Sequence, residues 1–253
     1  VIISSSTSYY FRTLGINDGL SQSTVNAILQ DQKGFMWIGT KDGLNQYDGQ
    51  ECRVFQKENS SLGNNFITAL YEDCEGYIWV GTDAGVYIYN PVQEAFQFLD
   101  TEIASSGEKI TRAVTWITSD SQNNIWISVD NQGLFCYNRG KKNLTKVVSC
   151  GKSGIANVTH FWFYAGQLWI ARYEDNLYVS KDNSSFNAFN DVDGEDIFKG
   201  LVINSYVEGL HNCLYVGTSK GLMEINLTSR KVRKLLDEYV RDICFRSDTD
   251  LWI

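Results

Sequence analysis

Val25-Asn-Ala-Ile-Leu-Gln-Asp31-Gln-Lys-Gly34-Phe-Met-Trp37-Ile-Gly-Thr-Lys-Asp-Gly43-Leu-Asn-Gln-Tyr47 is the stretch whose reading decides the fold. An apolar run leads to a turn centred on Asp31 and Gly34. A second run surrounds Trp37, a tight turn follows at Gly43, and a third run ends at Tyr47. Cys52-Arg-Val-Phe55 supplies a fourth. The unit returns around Trp79, Trp126, Trp169, Tyr215 and Trp252, at steps of 42, 47, 43, 46 and 37 residues. Four short strands recurring at about 40–45 residues predict an all-β chain, a β-propeller of four-stranded blades. The repeats give five blades and the start of a sixth.

Composition agrees with that reading. Aromatics make up 13% of the 253 residues, glycines number 21, and the one proline is Pro91. Many short strands with glycine turns need this mixture, and a disordered chain would lack it. The formal net charge is -8 without a long basic run, which argues against nucleic acid or anionic membrane as a partner. No apolar run reaches the roughly 20 residues of a membrane helix. Val1-Ile-Ile-Ser-Ser-Ser6 lacks the basic region and apolar core of a signal peptide. The six cysteines, Cys52, Cys74, Cys136, Cys150, Cys213 and Cys244, form no C-x-x-C pair and no metal-like spacing with the two histidines. They read as small buried hydrophobes or as disulfide partners. No cofactor and no metal site is expected.

Residues 1–8 read as a flexible N-terminus. Tyr9-Tyr-Phe-Arg-Thr13 reads as a strand that completes the last blade of a closed ring. The repeats run over about 21–57, 65–99, 111–148, 157–189, 201–236 and 240–253, within one partial propeller domain. The third has a B–C turn one residue longer, before Gly133. The fourth departs most: Tyr164-Ala-Gly-Gln167 shortens its A–B turn, and Arg172-Tyr-Glu-Asp-Asn176 replaces the Gly-Thr-x-x-Gly turn. The sixth stops after two strands, at Trp252-Ile253. The expectation is a fragment of a larger propeller of about seven blades. Asp191-Val-Asp-Gly-Glu-Asp196 reads as a connecting loop, because the full twelve-residue calcium loop is missing.

Strand A and the B–C turn meet at one face of a blade, and loops on a rigid scaffold carry function. The strand-A starts are Val25-Asn-Ala, Ile67-Thr-Ala, Val114-Thr-Trp, Val158-Thr-His, Ile203-Asn-Ser and Val240-Arg-Asp. The first position is apolar and β-branched. The second is polar, read either as a ring at the channel mouth or as side chains satisfying backbone groups. The third is small except at Trp116, His160 and Asp242. Departures from a repeat's own consensus are the better site candidates. The candidate ligand-binding set is therefore Arg172, Tyr173, Glu174, Asp175, His160, Trp116, Arg241 and Asp242. An aromatic ring can pack on a sugar's C–H face while charged groups bond its hydroxyls. Each has a plainer reading: Trp116 as core, His160 as a satisfied channel histidine, Arg172 with Glu174 or Asp175 as a surface ion pair. Trp37, Trp79, Trp126 and Trp169 read as structural wedges between blades. Gly43, Gly85, Gly133 and Gly221 read as structural turns.

Tyr10-Phe-Arg, Asp18-Gly-Leu-Ser21, Thr24-Val-Asn26, Leu29-Gln-Asp31 and Gly34-Phe-Met-Trp37-Ile-Gly-Thr-Lys-Asp-Gly-Leu-Asn45 resemble the two-component regulator propeller repeat. That repeat typifies the periplasmic sensor region of hybrid two-component systems in Bacteroidetes. The resemblance covers nearly all of residues 9–253, most closely in the first two repeats. It implies an oligosaccharide-sensing, non-catalytic module of a dimeric histidine kinase that controls polysaccharide-utilisation genes. Membrane tethering would then run through C-terminal segments not in this chain. Two other classes compete. One is a protein-interaction or dimerisation propeller without a small ligand. The other is a propeller glycosidase or lyase. A sialidase turn would place its aspartate one residue closer to the tryptophan, and no spacing here enforces two catalytic carboxylates.

Overall fold

In the computed structural model the residues described are 13–147, 158–183, 185–245 and 251–253. Among them there is no α-helix, and so none long and apolar enough to cross a membrane. The strand Tyr9–Thr13 and the N-terminal residues 1–8 fall outside the described residues, save for Thr13 itself. The chain divides into two compact units, one described over 13–147 and the other from 158 onward.

The first unit holds three four-stranded sheets. They are β1 (Val25–Gln30), β2 (Met36–Thr40), β3 (Gly43–Tyr47) and β4 (Cys52–Phe55); β5 (Ile67–Glu72), β6 (Ile78–Thr82), β7 (Gly85–Asn90) and β8 (Ala95–Phe98); and β9 (Val114–Ser119), β10 (Ile125–Val129), β11 (Gly133–Asn138) and β12 (Asn143–Lys146). The second unit holds β13 (Val158–Tyr164), β14 (Gln167–Arg172), β15 (Leu177–Ser180) and β16 (Asn187–Ala188), then β17 (Ile203–Glu208), β18 (Cys213–Thr218), β19 (Gly221–Asn226) and β20 (Lys231–Leu236). A two-stranded pair, β21 (Cys244–Phe245) with β22 (Leu251–Trp252), follows. In every sheet each strand pairs antiparallel with the next in sequence. These meanders are propeller blades. The described pairing of the sixth repeat begins at Cys244, four residues after the expected start at Val240, whose amide donates to the Thr218 carbonyl at 3.1 Å.

Burial follows position in the blade. Every residue of β6 and β10 is buried, as a strand covered on both faces must be, whereas outer β20 is mostly exposed. Trp37, Trp79, Trp126 and Trp169 are each at most 3% exposed. The A–B turn explains the first three. Asp31 accepts the Lys33 and Phe35 amides on one carboxylate oxygen and the Trp37 indole N–H on the other, at 2.8 Å. Asp73 does the same for Glu75, Tyr77 and Trp79, and Asp120 for Gln122, Asn124 and Trp126. One carboxylate thus closes the turn and orients the wedge tryptophan.

Two glycine positions matter for different reasons. At the B–C turns Gly43, Gly85, Gly133 and Gly221 have φ of 124°, 119°, 108° and 138°, where a side chain is strained. Earlier in strand B, Gly39, Gly81 and Gly217 have no room beside the next blade. A Cβ there would lie 2.6 Å from Ile67 Cγ2, 2.8 Å from Val114 Cγ1 and 2.8 Å from Val240 Cγ1 respectively. Ile67, Val114 and Val240, which start their strands A, are thus each seated on the strand-B glycine of the preceding repeat.

The polar second position of strand A is a β-bulge. Register slips across Asn26, Thr68, Thr115, Thr159 and Asn204, so each is the extra residue of its strand. Asn26 and Asn204 donate across to the carbonyls of Ile67 and Val240, at 2.8 and 2.7 Å. Thr115 and Thr159 donate to carbonyls of their own blades, of Ser128 at 3.4 Å and Ala171 at 3.3 Å.

The described cysteines Cys52, Cys74, Cys136, Cys213 and Cys244 are free. None is fully buried, and Cys74 and Cys244 are exposed, so they pack less deeply than small core hydrophobes would. Burial still pushes the Cys136 thiol up to about 12. Cys150 lies outside the described residues.

Candidate functional site

The fourth blade departs where its sequence does. β14 ends at Arg172, and the chain reverses through Tyr173 and Glu174, with the Asp175 amide on the Arg172 carbonyl at 3.5 Å. Glu174 takes φ 47°, a left-handed conformation that Asn131, at φ 53°, also takes in the turn of the third blade. Arg172 is held in place: its guanidinium meets the Asp175 carboxylate at 2.8 Å and lies 5.7 Å from the centre of the Tyr178 ring. The Tyr178 hydroxyl donates to the same carboxylate at 3.3 Å. Burial, and then the Asp175 charge, push that hydroxyl's pKa upward. A second anchor fixes the far end of the turn. The Gly200 amide donates to the Asp175 carbonyl at 2.6 Å, and Asp175 bridges to Leu201 at the entry to the fifth blade.

With the turn so braced, its tip projects Tyr173, 55% exposed, and the exposed carboxylate of Glu174. The Arg172–Asp175 ion pair is present, and Tyr178 and Leu201 hold it in a formed turn. Asp175 is therefore committed to Arg172 and Tyr178 and does not stand as a free acid.

Strand A of the same blade brings His160 opposite Ala171, one step past the Thr159 bulge. Burial pushes its pKa down to about 4, while a hydrogen bond to the Ile203 backbone and the Asp242 charge pull the other way. The imidazole is thus neutral at pH 7. Asp242 is exposed and accepts the Ile243 amide at 2.8 Å, and Arg241 beside it is exposed. Arg172, Tyr173, Glu174 and Asp175 form one turn, and His160 and Asp242 sense one another within the same unit. Trp116 belongs to the other unit, on β9 opposite Ser128, half-buried.

Sequence reasoning missed three features. Tyr178, on β15, completes the Arg172 cluster, and its position three residues after Asp175 was the available signal. The others are two clefts at the blade edges where the A–B and C–D turns gather. One, of about 850 Å³, lies between the first and second blades and includes Asp31, Trp37, Glu72 and Tyr89. The other, of about 660 Å³, lies between the fourth and fifth and includes Trp169, Phe189 and Arg230.

No group of three or more histidine, cysteine or acidic side chains is placed to hold a metal ion among the described residues. In the acidic loop Asp191 accepts the amides of Asp193 and Glu195 at 3.0 and 2.9 Å, the same closure the blade turns use.

Comparison with known proteins adds to this geometry. Residues 19–42 and 61–84 match the two component regulator propeller family. Histidine kinase P4 of Formosa agariphila is 44% identical over 48 residues, which is 19% of this chain and 4% of that protein. The extracellular domain of a protein assigned as a hybrid two component system, BT3049 of B. thetaiotaomicron, superposes with a TM-score of 0.77 at 26% identity, over 95% of this chain and 33% of that one. A virginiamycin B lyase from Staphylococcus aureus superposes with a TM-score of 0.62 at 10% identity, over 84% of this chain and 69% of that one. That last likeness shows the fold alone. This chain therefore spans 4% of the kinase and a third of the extracellular domain.

Proposed function

We propose that this chain, whose first two blades are two-component regulator propeller repeats, is part of the extracytoplasmic ligand-sensing region of a hybrid two-component signalling protein. The carrying observation is the likeness to an extracellular domain of that class across 95% of the chain, together with the repeat match. The ligand is an oligosaccharide released from a glycan, and the receiving surface is the braced turn of the fourth blade. Tyr173 offers a ring face for the sugar's C–H groups, and Glu174 offers acceptors for its hydroxyls. Arg172 and Asp175 hold that turn in one conformation and so reduce the ordering cost of binding.

The fragment performs no chemistry in this reading. It signals by binding one arrangement of a homodimer more tightly than another, since a ligand shifts an equilibrium only by its differential affinity. Kinase output and the polysaccharide-utilisation genes it controls would follow from that shift, in a protein exported to the periplasm.

The test is titration calorimetry of the intact extracytoplasmic region against oligosaccharides from common plant and host glycans. The expected result is binding of one class, weakened about tenfold or more by Tyr173→Ala in a protein that keeps its fold, as loss of an aromatic platform would do. Binding unaffected by Tyr173→Ala and by Glu174→Gln would remove the turn as the site. Saturable turnover of a glycan would overturn the non-catalytic reading.

A further inference from the structure

In the first and fifth blades one side chain ties strand A to the start of the next repeat. Asn26 donates to the Ile67 carbonyl at 2.8 Å, and Asn204 to the Val240 carbonyl at 2.7 Å. Beside each tie a strand-B glycine seats the same residue. A Cβ on Gly39 would lie 2.6 Å from Ile67 Cγ2, and one on Gly217 would lie 2.8 Å from Val240 Cγ1.

The fourth blade has neither device. Thr159 stands at its bulge, and the hydroxyl donates to the Ala171 carbonyl of its own blade at 3.3 Å. The glycine is gone as well. Ala27 pairs with Gly39 and Ser205 with Gly217, and at the same register His160 pairs with Ala171. Ala171 carries the methyl group for which those glycines leave no room, so the first residue of the fifth blade must be held by something other than that close seat. The fourth blade offers an imidazole where the first and fifth have alanine and serine. His160 is hydrogen-bonded to the Ile203 backbone, and the bond favours the protonated ring. A carbonyl acceptor has that effect, whereas an amide donor would favour the neutral ring. The ring N–H therefore donates to the carbonyl of Ile203, the first residue of β17. This is the bond of Asn26 and Asn204, moved one residue along strand A.

The tie lies beside the fourth turn. Ala171, opposite His160, immediately precedes Arg172. Ile203 follows closely on Leu201, which bridges Asp175, and on Gly200, whose amide donates to the Asp175 carbonyl at 2.6 Å. The turn is thus enclosed by two joins to one segment of the fifth blade, His160 to Ile203 and Asp175 to Gly200 and Leu201.

We infer that His160 is the positioning residue of the fourth turn: its N–H fixes residues 200–203 against the fourth blade, and that segment in turn holds Asp175 and the tip formed by Tyr173 and Glu174. His160 itself touches no ligand. The consequence for binding rests on the reading of that turn as the oligosaccharide site.

The experiment is hydrogen–deuterium exchange of the intact extracytoplasmic region, without ligand and at neutral pH, with circular dichroism verifying the fold. His160→Leu keeps bulk and removes the donor. His160→Gln and His160→Asn place an amide donor near the reach of Nε2 and of Nδ1. The expected result is exchange of the Asp175 and Gly200 amides about tenfold faster in His160→Leu, with β18 and β19 unchanged, and a return to within about twofold in one of the amide variants. No change at those amides, faster exchange throughout both blades, or failure of both amide variants to restore it overturns the tie. If His160→Leu does not fold, the amide variants decide alone, and faster exchange in both overturns it. The same proteins are then titrated with the oligosaccharides used to test the receptor reading. Affinity is expected to fall about tenfold in His160→Leu and to recover in the restoring variant. Equal loss of affinity in all three, with exchange restored, makes His160 a ligand contact and overturns the positioning role. Faster exchange with unchanged affinity, or with no saccharide bound by any of the proteins, leaves the tie standing and removes the turn as the receptor site.

Discussion

Asp73 shows how much one residue does in this fold. It is 2% exposed, closes its turn through two amides, accepts the Trp79 indole, and takes an ion pair from Arg139 at 3.0 Å. Trp79→Phe removes the donor and leaves the carboxylate one bond short, at an expected cost of about 2–3 kcal/mol. Trp169→Phe removes a donor that has no partner, so beyond the cavity that both changes leave its cost is expected to be about 1–2 kcal/mol smaller. Urea denaturation of the two variants checks the difference, and equal losses would refute the role given to the turn carboxylate. His160 offers a test by pH. Its folded pKa is depressed to about 4 from 6.5, so between those values the unfolded chain binds more protons. Stability is therefore full above about pH 6.5 and falls as the pH drops towards 4, by up to about 3 kcal/mol in all. His160→Gln is expected to flatten that part of the stability–pH curve.

At the scale of strands and turns, the first blade docks on the second, the second on the third and the fifth on the sixth repeat through a glycine meeting a β-branched residue. Gly81→Ala would put a methyl group 2.8 Å from Val114 Cγ1, which is expected to cost about 1–3 kcal/mol by overpacking. Val114→Ala in the same chain removes the Cγ1 clash and leaves the Cβ, 2.9 Å away, so the double variant is expected to lose less than the sum of the two singles. A double-mutant cycle in thermal unfolding measures this, and strict additivity would contradict the contact. The period, the blades and the glycine turns could be read from sequence because each repeats a local pattern. The docking glycines could not, since what crowds them comes from about 30 residues further along the chain, as Ile67 does for Gly39. The polar second position of the strand-A starts was visible as a pattern, but its cause was not. A bulge is defined by the partner strand, and Asn26 and Asn204 reach a different blade. At the fourth turn the unusual residues were legible, whereas the division between the engaged pair Arg172–Asp175 and the exposed tip Tyr173–Glu174 depends on Tyr178 and Leu201. The clefts escaped notice because their walls join turns from neighbouring blades.

For the whole molecule, the proposed function sets a small receiving surface on a stiff scaffold. Blade cores are close-packed, and such interiors shift as units instead of deforming. Binding at the fourth turn, as proposed, should therefore shield that turn and leave the strands as they are, with any signal carried by the arrangement of whole subunits. Hydrogen–deuterium exchange of the intact extracytoplasmic region, with and without a saturating oligosaccharide, tests this most directly. The expected result is slowed exchange confined to residues 171–176 and the adjoining 200–203 segment, with strand amides elsewhere in the sheets unchanged. Ligand-dependent exchange spread through the blade strands, with residues 171–176 unaffected, would contradict it.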